Sequence, residues 1–83
     1  MTMRQYTYQM AQLSVLMEQS VQIAWDYLER SGEIDDAEFC SRVLSGAIET
    51  MILQGVRSRL LLSNRAIDQY MLALQARTLK AAS

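Results

Sequence analysis

The sequence predicts an all-α protein, a small three-helix bundle built from an antiparallel helical hairpin and a third helix. Three observations predict it. Apolar residues recur at steps of three and four over most of the chain. Proline is absent. Ala, Leu, Met, Gln, Glu and Arg make up more than half of the 83 residues, and these are the residues that lose least on entering a helix.

The first helix is expected over about 5–30. Tyr6, Met10, Leu13, Met17, Val21, Ala24 and Leu28 fall on one stripe, with Gln12, Glu18, Gln19, Gln22, Asp26 and Glu29 on the far side. Such a pattern is that of one amphipathic helix. Ser31-Gly32 then stops it, because glycine adopts the left-handed conformation that closes a helix.

The restart is written in Glu33-Ile34-Asp35-Asp36. Asp35 is the expected N-cap, Glu38 completes a capping box three residues on, and Ile34 staples to Phe39. A second helix is expected from about 36 to 61, with Phe39, Val43, Ala47 and Met51 adjoined by Leu44, Ile48 and Ile52 in a wide apolar face. Gly46 in its middle costs about 1 kcal/mol against Ala, which suits a close approach of two helices.

Two places can end that helix: Gly55, or the pair Ser63-Asn64. The pair is favoured, since it gives the first two helices matching lengths and leaves a third over about 64–79. The alternative is no break at all: the stripe Leu53, Val56, Leu60, Ile67, Met71 and Leu74 passes through Ser63 in helical phase, as in one long helix that pairs with a second chain. The tail from Lys80 is expected to fray.

A chain of this length forms one domain, residues 1–83, and buries only about 60–65% of its unfolded surface. Yet 51% of it is apolar or aromatic, so a second copy is expected to cover part of that surface as a homodimer. The net charge of −1 gives no global attraction to nucleic acid or to an anionic membrane. Its distribution is polar: residues 1–41 hold two basic against seven acidic side chains, and residues 42–83 hold six against two.

Function classes fall away in turn. The sequence has no histidine, which removes Ser-His-Asp and Cys-His nucleophilic arrangements and the common zinc and di-iron ligand sets. No Gly-rich loop follows a strand, so nothing cradles a phosphate. The cluster Glu33, Asp35, Asp36 and Glu38 lacks the alternating ligands and turn glycine of a calcium loop, and helix capping accounts for it. Cys40, the only cysteine, is expected to be an inert apolar filler in a reducing cytoplasm. No apolar run approaches the roughly 20 residues that span a bilayer, so no membrane role is expected. Neither catalysis nor a cofactor or metal is expected.

Protein interaction is what remains. Met17, Met51 and Met71 lie on apolar stripes and Trp25 at a stripe edge, the residue types that line helical grooves and anchor interfaces. The second reading is a small nucleic-acid-binding regulator whose basic C-terminal helix presents Arg57, Arg59, Arg65, Arg77 and Lys80. A solvated face that answers the acidic N-terminal half explains those charges more simply, so nucleic acid is the less expected partner.

Overall fold

A computed structural model describes the backbone of residues 2–82 and the side chains of residues 11–80. It contains three helices, α1 over Thr2–Arg30, α2 over Ala37–Leu53 and α3 over Arg59–Ala82. Each helix packs on both others. The all-helical, three-helix class read from the sequence is therefore what the chain adopts. Tyr6 and Met10, assigned to the α1 stripe, lie outside the described side chains, and Ser83 of the expected tail lies outside the described backbone.

The order is up, down, up. Tyr70 of α3 reaches the α1–α2 turn, where its hydroxyl donates to the Glu33 carbonyl at 2.8 Å. Arg57 of the α2–α3 turn sits beside Gln12, Leu13 and Leu16 of α1. The two connections thus lie at opposite ends, and α1 and α3 run the same way. At 1.5 Å per residue α2 spans about 26 Å and α1 about 43 Å, which gives a body 56 × 25 × 20 Å in extent.

Both connections use the same device. Gly32 has φ 70° and Gly55 has φ 98°, a region that side chains disfavour and glycine enters freely. At the first, Glu33 N–H donates to the Leu28 carbonyl at 2.9 Å and Gly32 N–H to Glu29 at 3.1 Å. At the second, Val56 N–H donates to Met51 at 3.0 Å and Gly55 N–H to Ile52 at 3.0 Å. These are two Schellman closures, which satisfy carbonyls that the helix end leaves open.

Lys80 to Ala82, expected to fray, continue α3 as helix, and three further expectations need correction. The second break falls at Gly55 and not at Ser63-Asn64, so α2 ends at Leu53 and α3 starts at Arg59. Ser58 caps α3, its Oγ accepting from Leu61 N–H at 3.2 Å. The N-cap of α2 is Asp36 and not Asp35, its carboxylate accepting from Phe39 N–H at 3.1 Å. Glu38 is therefore the second helical residue, outside a capping box, and pairs with Arg42 at 3.2 Å. The third correction concerns the long stripe. The buried positions of α3 are Leu62, Ser63, Ala66 and Tyr70; of the long stripe, Val56, Ile67 and Leu74 pack on the edge of that core while Leu53, Leu60 and Met71 are exposed. Residues 54–58 leave helical geometry, yet Leu62, Ala66 and Tyr70 fall on the line that the buried Leu44, Ile48 and Met51 of α2 define at 100° per residue.

The core consists of Ala24 and Leu28 of α1, Cys40, Leu44, Ile48, Met51 and Ile52 of α2, and Leu62, Ala66 and Tyr70 of α3. Ser20 and Ser63 are buried with them. Their hydroxyls donate within their own helices, to Leu16 at 2.7 Å and to Leu60 at 3.0 Å, which removes the penalty of burying a hydroxyl. Small residues on the inner faces of α1 and α3 let those helices approach closely.

Candidate functional site

The four residues expected to form a partner groove occupy different environments. Met51 is buried at 8% exposure, and Met17 packs half-buried against the core. Trp25 also packs on the core, and its indole Nε1 donates to Glu29 Oε2 at 3.0 Å. Met71 alone faces outward, 40% exposed. Met17 and Met51 are fillers of the interior, and no common groove joins the four.

The basic residues also separate. Arg57 donates to the carbonyls of Ile52 at 2.8 Å and Val56 at 3.0 Å, a cation placed on the negative end of α2. Arg59 lies next to it, facing Val15, Leu16 and Gln19 of α1. Arg65 borders a groove between α2 and α3 with Asp68 and Gln69 opposite Val43, Gly46 and Thr50. Arg77 holds Asp36 at 3.3 Å and stacks over the Phe39 ring, 4.5 Å from its centroid. Lys80 stands in the last turn of α3. Arg59 and Arg77 are about 27 Å apart along the helix. Arg57 and Arg77 thus serve the two ends of α2, and Arg65 stands between Arg59 and Arg77 along α3.

At the α2 start the chemistry is structural. The Phe39 amide, followed by the Arg77 guanidinium, holds the Asp36 carboxyl below its ordinary range. Phe39 stacks on Tyr70 with ring centroids 6.1 Å apart, so Arg77, Phe39 and Tyr70 form a layered cluster over the turn. Burial pushes the Cys40 thiol up, with the Tyr70 hydroxyl partly opposing, which keeps the sulfur protonated and poorly nucleophilic. Among the described residues no three His, Cys, Asp or Glu side chains are grouped to hold a metal ion. No described helix is long and apolar enough to cross a membrane.

The most distinctive surface is the outer face of α3, which includes Met71 of the expected interface and Leu60 of the long apolar stripe. On α3 the small residues Ser63 and Ala66 are buried, whereas Leu60 at 68%, Leu72 at 59% and Leu79 at 66% are exposed. Leu61 and Met71 accompany them outward, and Leu53 at the end of α2 is 80% exposed. The signal that could have revealed this is the wide apolar face of α2: continued at 100° per residue, Leu44, Ile48 and Met51 lead to Leu62, Ala66 and Tyr70, and Leu60 and Met71 fall off that line.

The chain matches no known family model, no curated protein and no solved structure.

Proposed function

We propose that this chain is a protein–protein interaction module that self-associates, a cytoplasmic oligomeric adaptor or regulatory subunit acting through contacts and not through catalysis. The observation that carries this reading is the outer face of α3, which presents Leu60, Leu61, Met71, Leu72 and Leu79 to solvent although Leu62 and Tyr70 of the same helix are fully buried. Covering a fully exposed Leu contributes roughly 1.5–3 kcal/mol, so a face holding several of them gains strongly from a partner. Exposed apolar side chains interleaved with polar ones on one helix face suit a protein partner.

The nucleic-acid reading draws less support, because Arg57 and Arg77 are engaged within the chain and the remaining basic residues are distributed along α3. Sedimentation equilibrium over a range of concentrations tests the proposal, with a dimer that persists at high salt expected. Fluorescence anisotropy with a random DNA duplex at about 50 mM salt tests the rival, since phosphate contacts are strongest there. A monomer that binds the duplex tightly would replace this reading with the other.

A further inference from the structure

Resting on the self-association reading, we propose that α3 pairs antiparallel with α3 of a second copy along the stripe Leu61, Arg65, Asp68 and Leu72. These residues follow one another at steps of four, three and four, the spacing of a helix–helix seam. All four are exposed in the isolated chain.

The stripe is complementary to itself in one orientation. Place a two-fold axis opposite the midpoint between Ala66 and Ile67. Leu61 and Leu72 then lie equally far from it on either side, as do Arg65 and Asp68. An antiparallel pair therefore sets Leu61 against Leu72 of the second copy and Arg65 against its Asp68, each contact made twice by symmetry. Two ion pairs sit between two leucine layers. In the parallel orientation like charges would face each other, which disfavours that arrangement. Leu60 and Met71, 68% and 40% exposed, flank one side of the stripe and would be covered together.

The charges are available for this role. Neither Arg65 nor Asp68 has an ion-pair partner among the described residues, although they stand one turn apart. The outer face of α2 offers a weaker version. There Arg42 is already bonded to Glu38, and Leu53 is its only large exposed hydrophobe. On α1 the exposed Val15, Ile23 and Tyr27 share a face with Asp26, which already accepts from Gln22.

The test is a charge swap on the intact chain, read by sedimentation equilibrium with circular dichroism as the check on folding. Asp68→Arg alone and Arg65→Asp alone each place like charges together twice, and each should weaken the dimer by about 100-fold or more. Arg65→Asp combined with Asp68→Arg restores both pairs and should return the wild-type dimer. Disulfide trapping reads the orientation directly. With Cys40→Ala, the combination Leu61→Cys and Leu72→Cys should oxidise to a covalent dimer, while either cysteine alone should not. Within one helix those positions lie about 16 Å apart, beyond the reach of a disulfide. A wild-type dimer untouched by Asp68→Arg, or not recovered by the swap, would overturn the α3 assignment and leave self-association standing. A wild-type chain monomeric up to about 1 mM would overturn both.

Discussion

The Tyr70 hydroxyl donates to the Glu33 carbonyl at 2.8 Å across 37 positions of sequence, and this single bond ties α3 to the α1–α2 turn. Glu33 is also the residue whose amide closes the Schellman motif of α1. One peptide segment is therefore fixed from both sides. Tyr70→Phe should lower stability by about 0.5–1.5 kcal/mol, read as a shift of the urea midpoint at unchanged slope. A larger loss would mean that the ring packing against Phe39 had been disturbed as well.

The same tyrosine predicts alkaline sensitivity. Burial raises Tyr70 above its ordinary value, with further contributions from Cys40, Asp35 and Glu33, and burial likewise raises Cys40. An acid whose folded pKa is raised contributes stability that is fully present below its unfolded value and is lost as pH rises through the folded one. The unfolded chain then releases protons first, so stability falls with pH. Urea midpoints should be level up to about pH 9 and decline above it. Tyr70→Phe combined with Cys40→Ala should flatten that decline, and an equally steep fall in the double variant would show that other groups cause it.

Asp36 acts in the opposite direction of pH. Its carboxyl is lowered by the Phe39 amide and then by Arg77, so its contribution is present above the unfolded value of 3.8 and is lost as pH falls through the folded one. Asp36→Ala should lower the melting temperature by roughly 4–8 °C at pH 7 and remove part of the acid sensitivity. Asp35→Ala should leave both nearly unchanged, because Asp35 makes no cap. Calorimetry on the two single variants separates them.

These assignments show where the sequence was readable. Helix α1 and its stop at Gly32 were legible, since an amphipathic stripe and a left-handed glycine are both local signals. The cap was displaced by one residue because Asp35 and Asp36 are the same residue type side by side. Which of them caps also depends on Arg77 and Phe39, 41 and three residues from Asp36, and spacing alone does not report such contacts. The face of α3 was illegible for another reason. Its buried seam is written in Leu62, Ser63, Ala66 and Tyr70, only one of them a leucine, while Leu60, Leu61, Leu72 and Leu79 face outward.

The three glycines should respond differently to Ala. Gly55 at φ 98° occupies a conformation that costs an L side chain roughly 1–2 kcal/mol, so Gly55→Ala should destabilise by about that amount. Gly32→Ala at φ 70° should behave alike. Gly46 is helical, and a Cβ there meets nothing within 4 Å. No neighbour within the chain uses the space, and Gly46→Ala should stabilise by about 0.5–1 kcal/mol. A loss at Gly46 would point to a close approach by another chain on that face of α2.

The two serines near the second break give the sharpest contrast, because the sequence suggests a cap at Ser63 and the structure places it at Ser58. Ser58 Oγ accepts from Leu61 N–H, so Ser58→Ala should cost about 1 kcal/mol. Ser63 is fully buried and its hydroxyl bonds only back to Leu60. Ser63→Ala keeps the volume small and should stay within about 0.5 kcal/mol of wild type. Ser63→Leu is the informative change: by hydrophobicity it improves the pattern, yet it forces extra methylenes into a packed seam and should cost about 1–3 kcal/mol. If chemical denaturation ranked Ser63→Ala as the costly variant and Ser58→Ala as neutral, the start of α3 would have to move to Asn64 and the leucines of its first turn would return to α2.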